Sequence, residues 1–518
     1  MATPSENLAQ SLNVLKQLQE SKKSTVFRSS EISRTHLERL VNNGFLMKII
    51  NGWYIQTDPA TQEGDSTSWY MSYWRFIKDF ITEKLGNEWS LTPEVSLDIQ
   101  TGNWTVLPQL IIRSKKCSNT TVNLPFACSI YFLKAETPTN IVKENQYGLN
   151  VYSIAEALVM SSPVLYKNNS MTARIALSTI KDAADILPYI LDKGRSSRAE
   201  RVIGALYNCQ MTKIADDIKE TLVRYGYDIR ETDPFTEKYE YVKEQSPYAV
   251  RIRLMWQNMR DAILSVKPNV PKALSTNAYF DDIEDKYKQD AYHSLSIEGY
   301  KVTEELIDKV RRGDWNPADN NEDKDSKAAL AARGYWQAFQ VVKNSLRSIF
   351  NGENAGIVAE NDHRKWYQEM FAPSVMVGIL KASDVVGYRS HQVYIRNSMH
   401  TPLNADAVRD TMPVLFDLLK TEPDAWVRAV AGHFIFTFIH PYMDGNGRMG
   451  RFLMNLMLAS GGYRWTIIPK DVREQYMSAL EQASVQGNIT PFATLIAKHT
   501  KIYSDVTASL TQDFTTYL

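Results

Sequence analysis

The stretch HPYMDGNGRMGR, His440 to Arg451, restricts this chain more than any other. It lies between AVAGHFIFTFI and FLMNLMLA, two apolar runs that read as buried helices. A polar loop is therefore held rigidly at both ends. Gly445-Asn446-Gly447 lets the backbone turn sharply and approach a ligand closely. The same residues open the second helix, and a helix N-terminus with free amides attracts anions. Arg448 and Arg451 are three apart, so they share a helix face and can point at one anion. Asp444 can hold a divalent cation with its waters, Mg²⁺ or Mn²⁺. His440, before Pro441, is the one side chain here that takes a proton near neutral pH without large tuning. Taken singly, these are a capped histidine, a turn and a solvated arginine pair. Taken together and in this order, they make a nucleotide polyphosphate site with attack on phosphorus.

At 518 residues the chain should hold two to four domains. Its 59 basic and 59 acidic residues cancel, so no global field demands nucleic acid or an anionic membrane, although local patches stay open. The N-terminal MATPSENLAQSLNVLKQLQE is polar and amphipathic, with no secretory apolar core. No segment is long and apolar enough to span a bilayer, so the expected location is the cytoplasm and no membrane partner is expected. Cys117, Cys128 and Cys209 are scattered and odd in number, which fits a reducing compartment and no C-x-x-C metal site.

The expected fold is multi-domain and mainly α. Residues 1–60 read as helix, short helix (FRSSEI), helix (SRTHLERLVNNG) and a hairpin at Asn51-Gly52, the order of a winged helix-turn-helix. Residues 61–228 carry strand-like runs, VLPQLIIRS and FACSIYFLKA, and then helices. LERLVNNGFLMKIINGWYIQ followed by LTPEVSLDIQTG resembles AbiEi-type antitoxins and regulators. That resemblance implies an α/β antitoxin-like region and a bacterial toxin–antitoxin setting. In a winged helix, Arg34, Thr35, His36 and Arg39 form the exposed reading face and Lys48 reaches phosphate from the wing, so DNA is an expected partner. Residues 229–280 read as linker and connecting helix, 281–503 as the catalytic domain and 504–518 as a tail. The acidic break RRGDWNPADNNEDKDSK lacks the EF-hand ligand order and reads as a solvated loop.

The His440–Arg451 string resembles the Fic motif HPFx(D/E)GNGRxxR, with Tyr442 in place of the Phe. The resemblance implies an all-α fold with a β-hairpin flap, and an adenylyltransferase that moves AMP from ATP onto a protein hydroxyl. It gives His440 the role of base and Asp444 that of Mg²⁺ ligand. Gly445, Asn446 and Gly447 would cradle the α- and β-phosphates, and Arg448 and Arg451 the β- and γ-phosphates. The lysine of the kinase relative Doc is absent at Gly447, which disfavours phosphorylation. VVGYRSHQVYIRNSMHTP looks like the flap, with Val393 and Ile395 as the strand that docks a target. Ser484 stands where the family usually has an asparagine near the nucleotide.

Beside that motif, Ser294-x-x-x-Glu298-Gly299 looks like the family's inhibitory helix, with Tyr300 where Asn is usual. The resemblance pairs Glu298 with Arg451 and implies a weakly active resting enzyme that modifies itself or an unidentified protein. Two alternatives stand beside it. One is removal of AMP, or both directions, through Glu298; the other is a DNA-binding regulator whose Fic half senses nucleotide. The oligomeric state is open.

Overall fold

A computed structural model describes residues 3–60, 64–193, 196–236, 246–314 and 327–512. The protein is mainly helical. It divides into two compact units: Met1–Lys243 with Tyr394–Thr401, and Glu244–Val393 with Pro402–Leu518. The acidic break at 315–326, and 237–245 of the expected linker, lie outside the described residues.

The first unit begins with the helix Pro4–Lys22, closed by a capping box between Thr3 and Glu6. FRSSEI is not a second helix. It forms the strand Val26–Arg28 and a single 3₁₀ turn, Ser29–Glu31. The reason is pairing: Val26, Phe27 and Arg28 lie antiparallel to Ile55, Tyr54 and Trp53, and Phe27 is fully buried. Ser33 caps the next helix, Arg34–Asn42. Strands Leu46–Ile50 and Trp53–Gln56 follow, joined at Gly52, whose φ of 80° suits a tight hairpin turn. Leu15, Phe27, Ile32, Leu40 and Leu46 make the small core here. A second sheet runs in the order Ser90–Leu91, Gln109–Ser114, Ser129–Lys134, Thr120–Asn123, and its two central strands are parallel. The helices from Ile154 to Arg224 bury a separate cluster around Tyr166, Ile203 and Leu206.

The second unit carries the motif. Helices Ala425–Ile439 and Asn446–Ser460 bracket it, and both are buried along nearly their whole length. Helices Lys327–Phe350, Ala355–Met376 and Ala405–Thr421 pack around them. Helix Pro247–Ser265 is part of this unit rather than a link to it. Trp256 Nε1 donates to Glu422 at 3.2 Å, Arg260 pairs with the same carboxylate at 2.9 Å, and Arg253 pairs with Asp417 at 2.7 Å. The last helix, Thr490–Gln512, runs through the boundary expected at 503. No described helix is long and apolar enough to cross a membrane.

The close approach of Lys327–Phe350 to Ala355–Met376 needs a glycine. A Cβ on Gly334 would fall on the Met370 carbonyl oxygen, which is backbone and cannot swing aside. Gly334→Ala should therefore destabilise the protein by about 1–3 kcal/mol, the usual cost of overpacking. Chemical denaturation measures this, and an unchanged midpoint would show that the helices can part freely.

Candidate active site

His440 ends its helix in the left-handed region, φ 54° and ψ 61°, which is costly for a residue with a Cβ. Arg389 holds it there. Its Nε donates to the His440 carbonyl at 2.7 Å, its backbone N–H donates to Pro441 at 2.9 Å, and its Nη1 donates to His391 at 2.9 Å. Nη2 donates to Leu403, and lies 3.4 Å from the Ile439 carbonyl. Thus a buried guanidinium is bonded to backbone carbonyls, and burial lowers its pKa to about 10. Sequence reasoning passed over Arg389; its position at the head of the expected flap was the available signal.

The His440 ring contacts the Thr437 carbonyl through Nδ1 at 3.1 Å. A carbonyl only accepts, so Nδ1 carries the hydrogen and Nε2 keeps its lone pair. Burial is the main cause lowering the pKa of this histidine to about 4, so the ring is neutral at physiological pH. His433, two turns earlier on the same helix, is a core residue. It is fully buried, with Nε2 2.8 Å from the Tyr476 hydroxyl.

Gly445 has φ 80° and starts the next helix. No side chain caps that helix, so its first-turn amides face the loop. The Asn446 side chain bonds back to the loop. Its Oδ1 accepts from the Tyr442 N–H at 2.9 Å and its Nδ2 donates to the Tyr442 carbonyl at 2.8 Å, which pins the loop shut on itself. This side chain therefore acts as a clamp on the loop that presents the amides. Asp444 Oδ1 accepts from Gly445 N at 2.6 Å, and its carboxylate stays well exposed.

Arg448 and Arg451 are buried at the start of this helix. Arg448 Nη2 lies 3.3 Å from Asp444. Arg451 meets the end of helix Thr276–Ile297. Its Nη2 donates to Glu298 Oε1 at 2.6 Å and to the Ser294 carbonyl at 3.0 Å, and its Nε donates to Ser294 Oγ at 2.9 Å. Burial opposes the Arg451 charge, but Glu298 outweighs it and the pKa is raised. A Cβ on Gly447 would collide with the Glu298 carboxylate, so that carboxylate sits over the helix N-terminus. Arg451 Nη1 and Arg448 Nε are buried without a hydrogen-bond partner, which leaves donors unspent beside the same amides. Asp290 lies at i−4 from Ser294 on the same helix face. Burial raises its pKa to about 6, and it accepts from the Tyr335 hydroxyl at 2.7 Å. Helical spacing back from Glu298 would have found it.

The expected flap is not a hairpin. Val393 and Ile395 lie in no strand, and Tyr394–Thr401 belongs to the first unit. There Arg396 pairs with Asp65 at 2.9 Å, Asn397 Oδ1 accepts from Ser66 N at 3.1 Å, and the Tyr394 and Tyr147 hydroxyls meet at 2.9 Å. These bonds, rather than a strand partner, satisfy the segment. The expected DNA-reading face is also smaller than its sequence. His36 Nδ1 lies 2.9 Å from Ser11 Oγ, and Arg39 donates to the Asn7 carbonyl and Ser11 Oγ, both at 2.9 Å. Both side chains are turned to the first helix instead of outward. Arg34, Thr35 and Lys48 are exposed, with Arg34 paired to Glu38 at 2.7 Å.

Residues 360–458 match the family model described as the Fic/DOC family. The protein adenylyltransferase fic-1 of Caenorhabditis elegans is 32% identical over 117 residues, 22% of each chain. Protein adenylyltransferase Fic of Nematostella vectensis is 26% identical over 223 residues, 42% of this chain and 48% of that one. The chain thus spans less than half the length of these curated relatives. A solved structure of Fic-1 residues 134–508 from C. elegans covers 69% of this chain and 98% of its own, with 18% identity and a TM-score of 0.38.

The histidines of this unit give it an acid limit. Burial lowers His363 and His440 to about 4 and His433 to about 3, whereas all three titrate near 6.5 when unfolded. The unfolded chain then binds more protons than the folded one between those values. Stability that is fully present above pH 6.5 is lost as the pH falls toward 4. Asp290, raised to about 6, works in the opposite sense but is one group against three. The melting temperature should fall between pH 7 and 4.5, and should fall less in His433→Phe. Scanning calorimetry across that range checks both.

Proposed function

We propose that the protein is an autoinhibited protein adenylyltransferase, which transfers AMP from ATP to a hydroxyl of a protein, itself included. The observation that carries this is the meeting of four features at one helix N-terminus: uncapped amides, two buried arginines with spare donors, an exposed aspartate and a neutral histidine with Nε2 free. His440 Nε2 takes the proton of the target hydroxyl. The hydroxyl oxygen bonds to the α-phosphorus, the bridging bond to the β-phosphate breaks, and pyrophosphate leaves with that electron pair. Arg448 and Arg451 hold the outer phosphates while the first-turn amides hold the inner ones.

Asp444 fits a magnesium ion. Its carboxylate is well exposed, and among the described residues no cluster of three or more His, Cys, Asp and Glu could hold a metal by itself. An ion held by one carboxylate, phosphate oxygens and water matches that donor set. When bound, it would neutralise charge on the phosphates.

In this reading Glu298 keeps the enzyme at rest. It occupies the guanidinium that a γ-phosphate needs and places a like charge on the anion site. Removing one partner of a buried ion pair costs about 3–5 kcal/mol, so the site does not open easily while Glu298 stays. Labelled ATP tests this. Glu298→Gly should raise self-labelling at least about tenfold, the effect of about 1.4 kcal/mol on a rare competent form. Adding His440→Ala to Glu298→Gly should remove that gain by roughly 10²–10⁴-fold while ATP still binds. No rise in Glu298→Gly sinks the inhibitory role. Faster loss of AMP in wild type than in Glu298→Gly, from pre-labelled protein, would favour the reverse reaction.

A second activity is proposed for residues 1–60, read as a winged helix that binds DNA. The favouring observation is that Arg34 is 91% exposed at the start of its helix, with Lys48 exposed on the following hairpin. The full-length protein should retard DNA from upstream of its own gene, less strongly as salt rises. Arg34→Ala with Lys48→Ala should abolish retardation and leave self-labelling intact. Absence of retardation at low salt would make this module a protein-contact surface.

A further inference from the structure

Glu298 engages only one of the three side chains that would meet the nucleotide and its cation. The other two are engaged by Tyr300. Its hydroxyl donates to Asp444 Oδ2 at 3.5 Å, and the Arg448 guanidinium lies 5.2 Å from its ring centroid. The Phe371 ring lies at the same 5.2 Å from that guanidinium. Gly299 makes this reach possible. Its φ of 88° turns the chain at the end of helix Thr276–Ile297, and Tyr300 N bonds back to the Leu295 carbonyl at 3.1 Å. Two residues, Glu298 and Tyr300, are thereby delivered to the same helix N-terminus from one short segment.

The two parts of the tyrosine act differently. A ring stacked on a guanidinium covers its face and leaves its N–H edge open to a phosphate. Arg448 Nε is buried with no partner, so that edge still has a donor to spend. A hydroxyl bonded to Asp444 Oδ2, in contrast, uses a lone pair that a cation would need. A phenol ordinarily titrates near 10, so the group is an O–H donor throughout the neutral range.

Resting on the adenylyltransferase reading of this site, we propose that Tyr300 sets the cation requirement of the reaction: its hydroxyl competes with the divalent ion at Asp444, while its ring orients Arg448 for phosphate. Tyr300 is a positioning residue, because it acts through Asp444 and Arg448. Binding of the metal-nucleotide then has to lift the hydroxyl from Asp444, and the same backbone turn couples that movement to Glu298.

The test is titration of the full chain with Mn²⁺, followed by electron paramagnetic resonance, in the presence of saturating α,β-methylene-ATP, which cannot transfer AMP. Calorimetry of the analogue itself runs in parallel. Tyr300→Phe should bind Mn²⁺ about two- to tenfold more tightly, the value of one long and therefore weak hydrogen bond, with analogue affinity unchanged. Tyr300→Ala should show the same gain for Mn²⁺ but bind the analogue several-fold more weakly, because Arg448 loses a stacked ring. Equal Mn²⁺ affinity in wild type and Tyr300→Phe, both folded by thermal melting, overturns the proposal. Asp444→Asn should abolish the specific Mn²⁺ signal. If it does not, the cation lies elsewhere, and the reading of Asp444 falls together with that of Tyr300. Failure of Glu298→Gly to raise self-labelling is a separate result, which removes autoinhibition and leaves the Mn²⁺ comparison standing.

Discussion

The guanidinium of Arg451 is the group around which the candidate site is arranged. It is buried, it is held on one side by Glu298 and both oxygens of Ser294, and it keeps one nitrogen without a partner. A cation in such a place requires a negative partner. In the structure that partner is Glu298, at the end of helix Thr276–Ile297. In the proposed reaction it is a phosphate. In the proposed reading the two anions exclude each other, so that inhibition and substrate binding are one electrostatic choice at a single helix N-terminus. Ser294 keeps the guanidinium in the same orientation for either, which limits the reorganisation that exchange demands.

A second constraint serves the histidine. The left-handed backbone at His440 is unfavourable, and the fold secures it by giving a whole buried arginine, Arg389, to the surrounding carbonyls. The Asn446 clamp on Tyr442 fixes the other side of the loop. Tyr442 itself stacks on Tyr367 with centroids 3.7 Å apart. Polar chemistry is thus mounted on two apolar helices, and its precision derives from packing and backbone hydrogen bonds at some distance from the reacting atoms. The same burial that keeps His440 neutral also makes the unit sensitive to acid.

What the sequence determined by itself was the local chemistry. Apolar periodicity on either side of His440–Arg451 dictated two buried helices, and glycine between them dictated an anion-facing turn, because both are consequences of a few neighbouring residues. The i, i+4 spacing of Ser294 and Glu298 likewise placed them on one helix face. Tertiary structure decided everything that depends on partners far along the chain. FRSSEI became a strand because Trp53–Ile55 offered an edge. His36 and Arg39 turned from solvent because Asn7 and Ser11 on another helix offered acceptors. Val393 and Ile395 lost their expected strand because Asp65, Ser66 and Tyr147 satisfied the adjoining segment instead. Arg389 carries no pattern in the sequence, and Tyr300 shows there only as a departure from the Asn usual at its place, since an isolated arginine or tyrosine does not announce a partner. Their roles exist only where folding brings a carbonyl cage or an aspartate within bonding distance.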